Sequence, residues 1–262
     1  MGELHFSDFD TIFSPPSDDR SSLFAAKRGR LTMKGYSIAR QGLISAIAAI
    51  AWGISGGVAV AHNGCEADAI DNAEYYYEYY LTVCAKGSGI EAVTACDKAL
   101  DLRPRDARTW TNRGVQLGSL GEYEAAIDSY RRALDIAPDY SLAWVNLCAD
   151  RISLGRYFEA TEACQNALDG DGRWGELGED FAWYNLGVAR ERLERYGDAQ
   201  EAYLRALEFD SDNAAAWNGL GYALERLGRY EEALNAYQRA VSLAPNITLY
   251  RDNLETVLLR IR

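Results

Sequence analysis

From about residue 73 to the C-terminus, apolar positions recur with two superimposed periods, one of three to four residues and one of 34. Trp110, Arg113, Gly114 and Leu117 fall at i, i+3, i+4 and i+7, which is one stripe of a helix. Tyr123, Ala126, Ile127, Tyr130, Ala133 and Leu134 make a second stripe, and Gly118 and Gly121 flank the break between the two. The pattern predicts an antiparallel helix pair, with Pro138 stopping the second helix.

The longer period repeats that pair. Trp110, Trp144, Trp183 and Trp217 are separated by 34, 39 and 34 residues, and Tyr76 lies 34 before the first. Gly114, Cys148, Gly187 and Gly221 follow four residues later, with Tyr80 in the first copy. Cys96, Tyr130, Cys164, Tyr203 and Tyr237 come at twenty, and Ala99, Ala133, Ala167, Ala206 and Ala240 at twenty-three. Small residues let two helices approach closely, and the aromatics fill the space around them. One such pair cannot bury its own apolar stripe, so neighbours must stack.

These residues resemble the tetratricopeptide repeat (TPR) family in five units, at 73–106, 107–140, 141–174, 180–213 and 214–247, after a lead-in at 62–72. The resemblance implies an all-α fold: a right-handed superhelical solenoid of five antiparallel helix pairs with a concave groove. Residues 248–262 keep the register, with Arg251 in the tryptophan position, and are expected to form a capping helix with a polar outer face. Two departures stand out. The first unit has Tyr76 and Tyr80 where tryptophan and a small residue recur, as suits a terminal repeat. The third carries a five-residue insertion within 169–180, whose Asp169, Asp171 and Asp180 echo a calcium loop. Arg173 and Trp174 occupy a ligand position and the turn-glycine position, so a solvated loop without metal is expected.

In this family the groove is lined by the first helix of each pair, two residues before and one, five and eight after the tryptophan. Those positions place Tyr77, Leu142, Val145, Ile152, Phe181, Tyr184, Val188 and Tyr222 in the groove. An apolar groove on an acidic protein suits a partner protein's helix or extended peptide. A clamp for chaperone C-termini would need lysine just after the tryptophan, where Thr111, Val145, Tyr184 and Asn218 stand. Asn112, Asn146 and Asn185 are expected to bridge neighbouring repeats.

Composition narrows the chemistry. The chain has 262 residues, 48% of them apolar, and a net charge of −12, which argues against nucleic acid as partner. His5 and His62 are its only histidines. Acidic pairs such as Glu231-Glu232 lie at expected helix starts, where they suit the dipole, so no catalytic residues, cofactor or metal site are assigned. A non-enzymatic scaffold is the leading expectation, and an accessory subunit of an envelope assembly or transferase system is the alternative.

The N-terminus assigns a compartment. Lys34 and Arg40 precede an apolar stretch from Gly42 to Ala61 that ends Ala59-Val60-Ala61, as in a secretory signal peptide over 33–61. Met33 stands where such a signal starts, leaving 1–32 as a disordered extension or an over-long start. A retained membrane anchor is the alternative, since about 20 apolar residues can cross a bilayer. Export to a periplasm is expected, and it would favour cysteine pairing. Cys148 and Cys164 face each other in one hairpin and are expected to form a disulfide, with two buried thiols as the alternative; Cys65, Cys84 and Cys96 stay open. Residues 1–61 carry six basic and five acidic side chains, so the remainder holds a net −13. The exported protein should begin at His62, and intact mass with N-terminal sequencing reads this directly; any other first residue moves the cleavage site.

Overall fold

The computed structural model describes residues 65–262, and those residues form eleven α-helices with no strand. The expected leader at 33–61 and the segment before it lie outside the described residues. The helices run in pairs: α1 (Cys65–Lys86) with α2 (Gly89–Leu102), α3 (Ala107–Ser119) with α4 (Tyr123–Ile136), and α5 (Ser141–Ser153) with α6 (Tyr157–Leu168). Then come α7 (Glu179–Arg192) with α8 (Tyr196–Phe209), α9 (Ala214–Arg226) with α10 (Tyr230–Leu243), and α11 (Thr248–Ile261). Each helix packs on its chain neighbours, and each first helix also touches the first helix of the next pair, as a solenoid requires. α1 starts at Cys65, earlier than the expected unit at 73, because no glycine or proline interrupts the chain before Lys86.

Within a pair, one contact sets the separation. A Cβ placed on Gly114 would stand 2.3 Å from Tyr130 Cε1, one on Gly187 2.6 Å from Tyr203 Cε1, and one on Gly221 2.6 Å from Tyr237 Cδ1. The tyrosine ring of the second helix therefore lies where any side chain of the first would be. Tyr130, Tyr203 and Tyr237 are essentially sealed from water in consequence. In the first and third pairs cysteine replaces this contact: Cys84 is bonded to Cys96 and Cys148 to Cys164. Both bridges join the two helices of one pair, across 12 and 16 residues. Loop closure of that size is worth about 3 kcal/mol.

Between pairs, the recurring tryptophans have a polar task. The indole N–H of Trp110, Trp144 and Trp217 donates to the carbonyl six residues earlier, at Pro104, Pro138 and Ser211 (2.9, 2.7 and 2.9 Å). Each pins the turn that leads into its own helix. Trp183 follows the insertion and donates instead to Glu179 Oε1 at 3.1 Å.

The turns inside the pairs hold a left-handed residue. Gly121, Gly155 and Gly228 have φ of 82°, 72° and 77°, and Glu194 takes the same place in the fourth pair at φ 59°. A non-glycine residue there costs about 1 kcal/mol.

The last helix departs from expectation. Tyr250 and Val257 are buried against the array, but Leu249 and Leu259 are 54% and 66% exposed, so the outer face of α11 is mixed rather than polar. Arg251 and Glu255 occupy the tryptophan and small-residue registers, which leaves no seat for a further tyrosine.

Gly221→Ala should destabilise the protein by about 1–3 kcal/mol, because the Tyr237 ring is held on all sides. Gly197→Ala, where an added Cβ meets nothing within 4 Å, should be neutral or slightly stabilising. Chemical denaturation of the two variants separates close approach from helix propensity; equal midpoints would contradict it.

Candidate functional site

The groove register divides the array into two halves. At the position after each tryptophan, Tyr77, Thr111 and Val145 are buried, whereas Tyr184 and Asn218 are half-buried. Tyr77 and Val145 were expected in the groove, and the structure corrects both. The Tyr77 hydroxyl donates to Asp106 Oδ2 at 2.5 Å, with the Arg103 guanidinium 3.9 Å from its ring centre. Val145 packs with Ala167 and Ala182 in the seam between the third and fourth pairs. Both side chains therefore serve stacking between neighbouring pairs.

Leu142 and Phe181 are half-buried beneath the insertion. Trp174 and Leu177 pack with them in one apolar cluster, so this loop folds onto the array rather than standing in solvent. Its anchor is Asp171. Asp106 caps α3 by accepting from the Arg108 and Thr109 amides, and Asn213 caps α9 by accepting from the Ala216 amide. Tyr140 precedes α5, and its side chain makes no cap hydrogen bond. Asp171 Oδ1 supplies one from 30 residues away, accepting from the Ser141 amide at 3.2 Å and the Arg173 amide at 2.9 Å. The Ser141 hydroxyl in return accepts from the Gly172 amide at 3.0 Å. Burial alone would raise the Asp171 carboxyl, but the amide and guanidinium of Arg173 and the Ser141 amide hold it below the ordinary range. The carboxylate that echoed a calcium ligand is thus a helix cap. Among the described residues, no group of three or more His, Cys, Asp or Glu could hold a metal ion.

Ile152, Tyr184, Val188 and Tyr222 are half-buried on α5, α7 and α9. The Tyr184 ring lies 6.0 Å from that of Tyr203, and Tyr222 meets Tyr196 edge-on at 6.3 Å. Burial pushes the Tyr184 hydroxyl well up. At the far end of this register stand two carboxylates that the apolar pattern did not single out. Tyr203 donates to Glu191 Oε2 at 2.8 Å, and Tyr237 donates to Glu225 Oε2 at 3.0 Å. Burial raises the Glu191 carboxyl, against the pull of the Tyr203 hydroxyl and Arg192. The signal was legible in principle, since both glutamates lie eight residues after a tryptophan.

The asparagines expected to bridge repeats do not do so among the described hydrogen bonds, and Asn185 Nδ2 is buried without a partner. Asn146 donates to its own helix at Leu142 O, 2.7 Å away, so it does not bridge repeats. A bridge forms elsewhere, from Asn253 to Asn218 at 2.9 Å. The acidic helix starts are paired: Glu232 with Arg229 at 2.6 Å, and Glu124 with Arg156 at 2.6 Å.

Known proteins match this architecture. Two tetratricopeptide repeat family models match, over residues 107–140 and 184–246. An uncharacterized protein of Methanocaldococcus jannaschii is 36% identical over 61 residues, 23% of this chain and 71% of that protein. Among solved structures, PilW, a widely conserved type IV pilus biogenesis factor, has a TM-score of 0.61 at 19% identity, over 71% of this chain and 86% of its own. YrrB, a TPR protein with an unusual peptide-binding site, has a TM-score of 0.58 at 19% identity, over 71% and 95%. MamA of Desulfovibrio magneticus RS-1 has a TM-score of 0.57 at 20% identity, over 68% and 98%. At such identities these structures share the fold.

Asp171→Ala should cost about 1 kcal/mol through loss of the α5 cap. The carboxyl is depressed in the folded state, so its contribution is complete above the unfolded value of about 3.9 and fades as pH falls through the folded one. Denaturant midpoints of wild type and variant should therefore differ at neutral pH and converge in acid. A constant gap across pH would show that the side chain's bulk, not its charge, holds the loop.

Proposed function

The chain belongs to the tetratricopeptide repeat family, and from that premise we propose that it is an exported scaffold that holds a segment of a partner protein in the groove over α5, α7 and α9. One observation carries this: Ile152, Tyr184, Val188 and Tyr222 remain partly open on consecutive first helices, whereas in the first two pairs Tyr77, Leu81, Thr111 and Gly118 of the same register are buried and Val115 alone among its apolar residues stays half-buried. The accessible part of the groove spans three adjacent first helices. An apolar, aromatic strip along three helices suits a short helix or an extended peptide, with tyrosines as rigid anchors.

Export is supported by the apolar leader sequence and by two cysteine pairs, each joining the helices of one hairpin, because such bridges persist in oxidising compartments. No helix among the described residues is long and apolar enough to cross a membrane. Catalysis is not part of the proposal: Glu232 and Glu124 at helix starts are held in ion pairs, and Glu191 and Glu225 accept tyrosine hydroxyls.

A random-peptide display selection on the purified protein tests the groove. Peptides enriched by wild type should bind a Tyr184→Glu/Tyr222→Glu variant at least tenfold more weakly, with helix content unchanged by circular dichroism. Equal affinity in the folded variant would place binding elsewhere on the molecule.

A further inference from the structure

The repeat itself indicates what the groove recognises. Glu191 and Glu225 occupy the same register, eight residues after Trp183 and Trp217. Each accepts a hydrogen bond from the tyrosine of its own pair, Tyr203 or Tyr237. Glu191 has Arg192 of its own helix nearby, and the two differ in the cation that the helix after the next brings. The guanidinium of Arg260, from α11, lies 3.2 Å from Glu225 Oε1, and the Glu225 side chain is only 9% exposed beneath it. Arg226 holds the corresponding place one repeat earlier, 35 residues after Glu191 as Arg260 is 35 after Glu225. Its guanidinium turns away, 4.9 Å from the Tyr196 ring centre, with its N–H on the Tyr222 hydroxyl at 3.4 Å.

Resting on the groove reading above, we propose that the Glu191 position, on α7 in the groove register of Tyr184 and Val188, receives an arginine or lysine side chain of the bound segment, in the way that α11 delivers Arg260 to Glu225. Three features agree with it. A half-buried carboxylate in an aromatic setting gains more from an incoming cation than an exposed one does. The groove tyrosines supply ring faces on which a guanidinium stacks, as Arg226 already does on Tyr196. The region from His62 onward carries a net −13, which draws basic segments toward it and disfavours acidic ones. The elevated Glu191 carboxyl is the state that such a partner would lower. The partner class is therefore a peptide segment with apolar residues around at least one basic residue.

The test uses peptides enriched by the full chain in the display selection, resynthesised with each arginine replaced by citrulline, which keeps the shape and removes the charge, or with each lysine replaced by its acetylated form. Wild type should prefer the charged form at least tenfold. Glu191→Gln keeps the acceptor for Tyr203 and should abolish that preference, while Glu201→Gln, which removes an exposed charge on α8, should retain it. Enriched peptides without basic residues, or a preference that survives in Glu191→Gln, would overturn the assignment and leave the groove in place. Failure of wild type to enrich any peptide would remove both.

Discussion

The array depends on one contact, the seat of a tyrosine ring against a glycine of the facing helix. Because the ring occupies the volume of the missing Cβ, at 2.3 to 2.6 Å from where that atom would stand, the two helices of a pair have a single separation. A bulkier residue at the glycine position would push them apart, and a smaller one at the tyrosine position would leave a cavity. Where cysteine takes the tyrosine's register, the separation is fixed covalently instead, from Cys148 in the small-residue register and from Cys84 one turn further along. Two different chemistries thus meet one geometric requirement, and the bridged pairs, first and third, alternate with a tyrosine-seated one.

Between the pairs the constraint is polar. The indole N–H reaches back to the preceding turn in three of the four tryptophan repeats, and capping side chains hold the next helix start. The insertion disturbs both devices at one point and substitutes for both. Asp171 caps α5 from across the loop, and Glu179 takes the Trp183 N–H. The added residues therefore keep the stack in register while setting Trp174 and Leu177 over Leu142 and Phe181, which narrows the open groove to the residues C-terminal of them.

The period of 34 made the helices and their pairing legible, because a side chain's environment recurs with its register. Legibility failed where the register had to be converted into exposure. Val145 and Tyr184 hold the same position, yet one is sealed in a seam and the other half-open. Val145 packs with Ala167 and Ala182 of neighbouring helices whereas Tyr184 meets the Tyr203 ring, and local spacing encodes neither neighbour. The insertion failed for a different reason: Asp171 contacts Ser141 through a chain reversal, so its acidic pattern resembled a metal loop while its partner lay 30 residues upstream. The register itself puts Glu191 and Glu225 in the groove, eight residues after their tryptophans, but spacing does not show that each accepts the hydroxyl of a tyrosine on the facing helix.

Those glutamates bear on how a solenoid built for packing acquires specificity. Apolar and aromatic residues on successive helices supply contact area to any amphipathic segment, so they discriminate poorly among partners. A buried carboxylate behaves otherwise, because an uncharged group placed against it leaves a desolvated charge unmet. At Glu225 the chain answers that demand itself, with Arg260 from its terminal helix, and this closes the groove at its C-terminal end. One repeat earlier Arg226 is engaged by Tyr196 and Tyr222 instead. The same tyrosine–glutamate unit thus closes the array where its own arginine arrives and gives it selectivity where a partner's must.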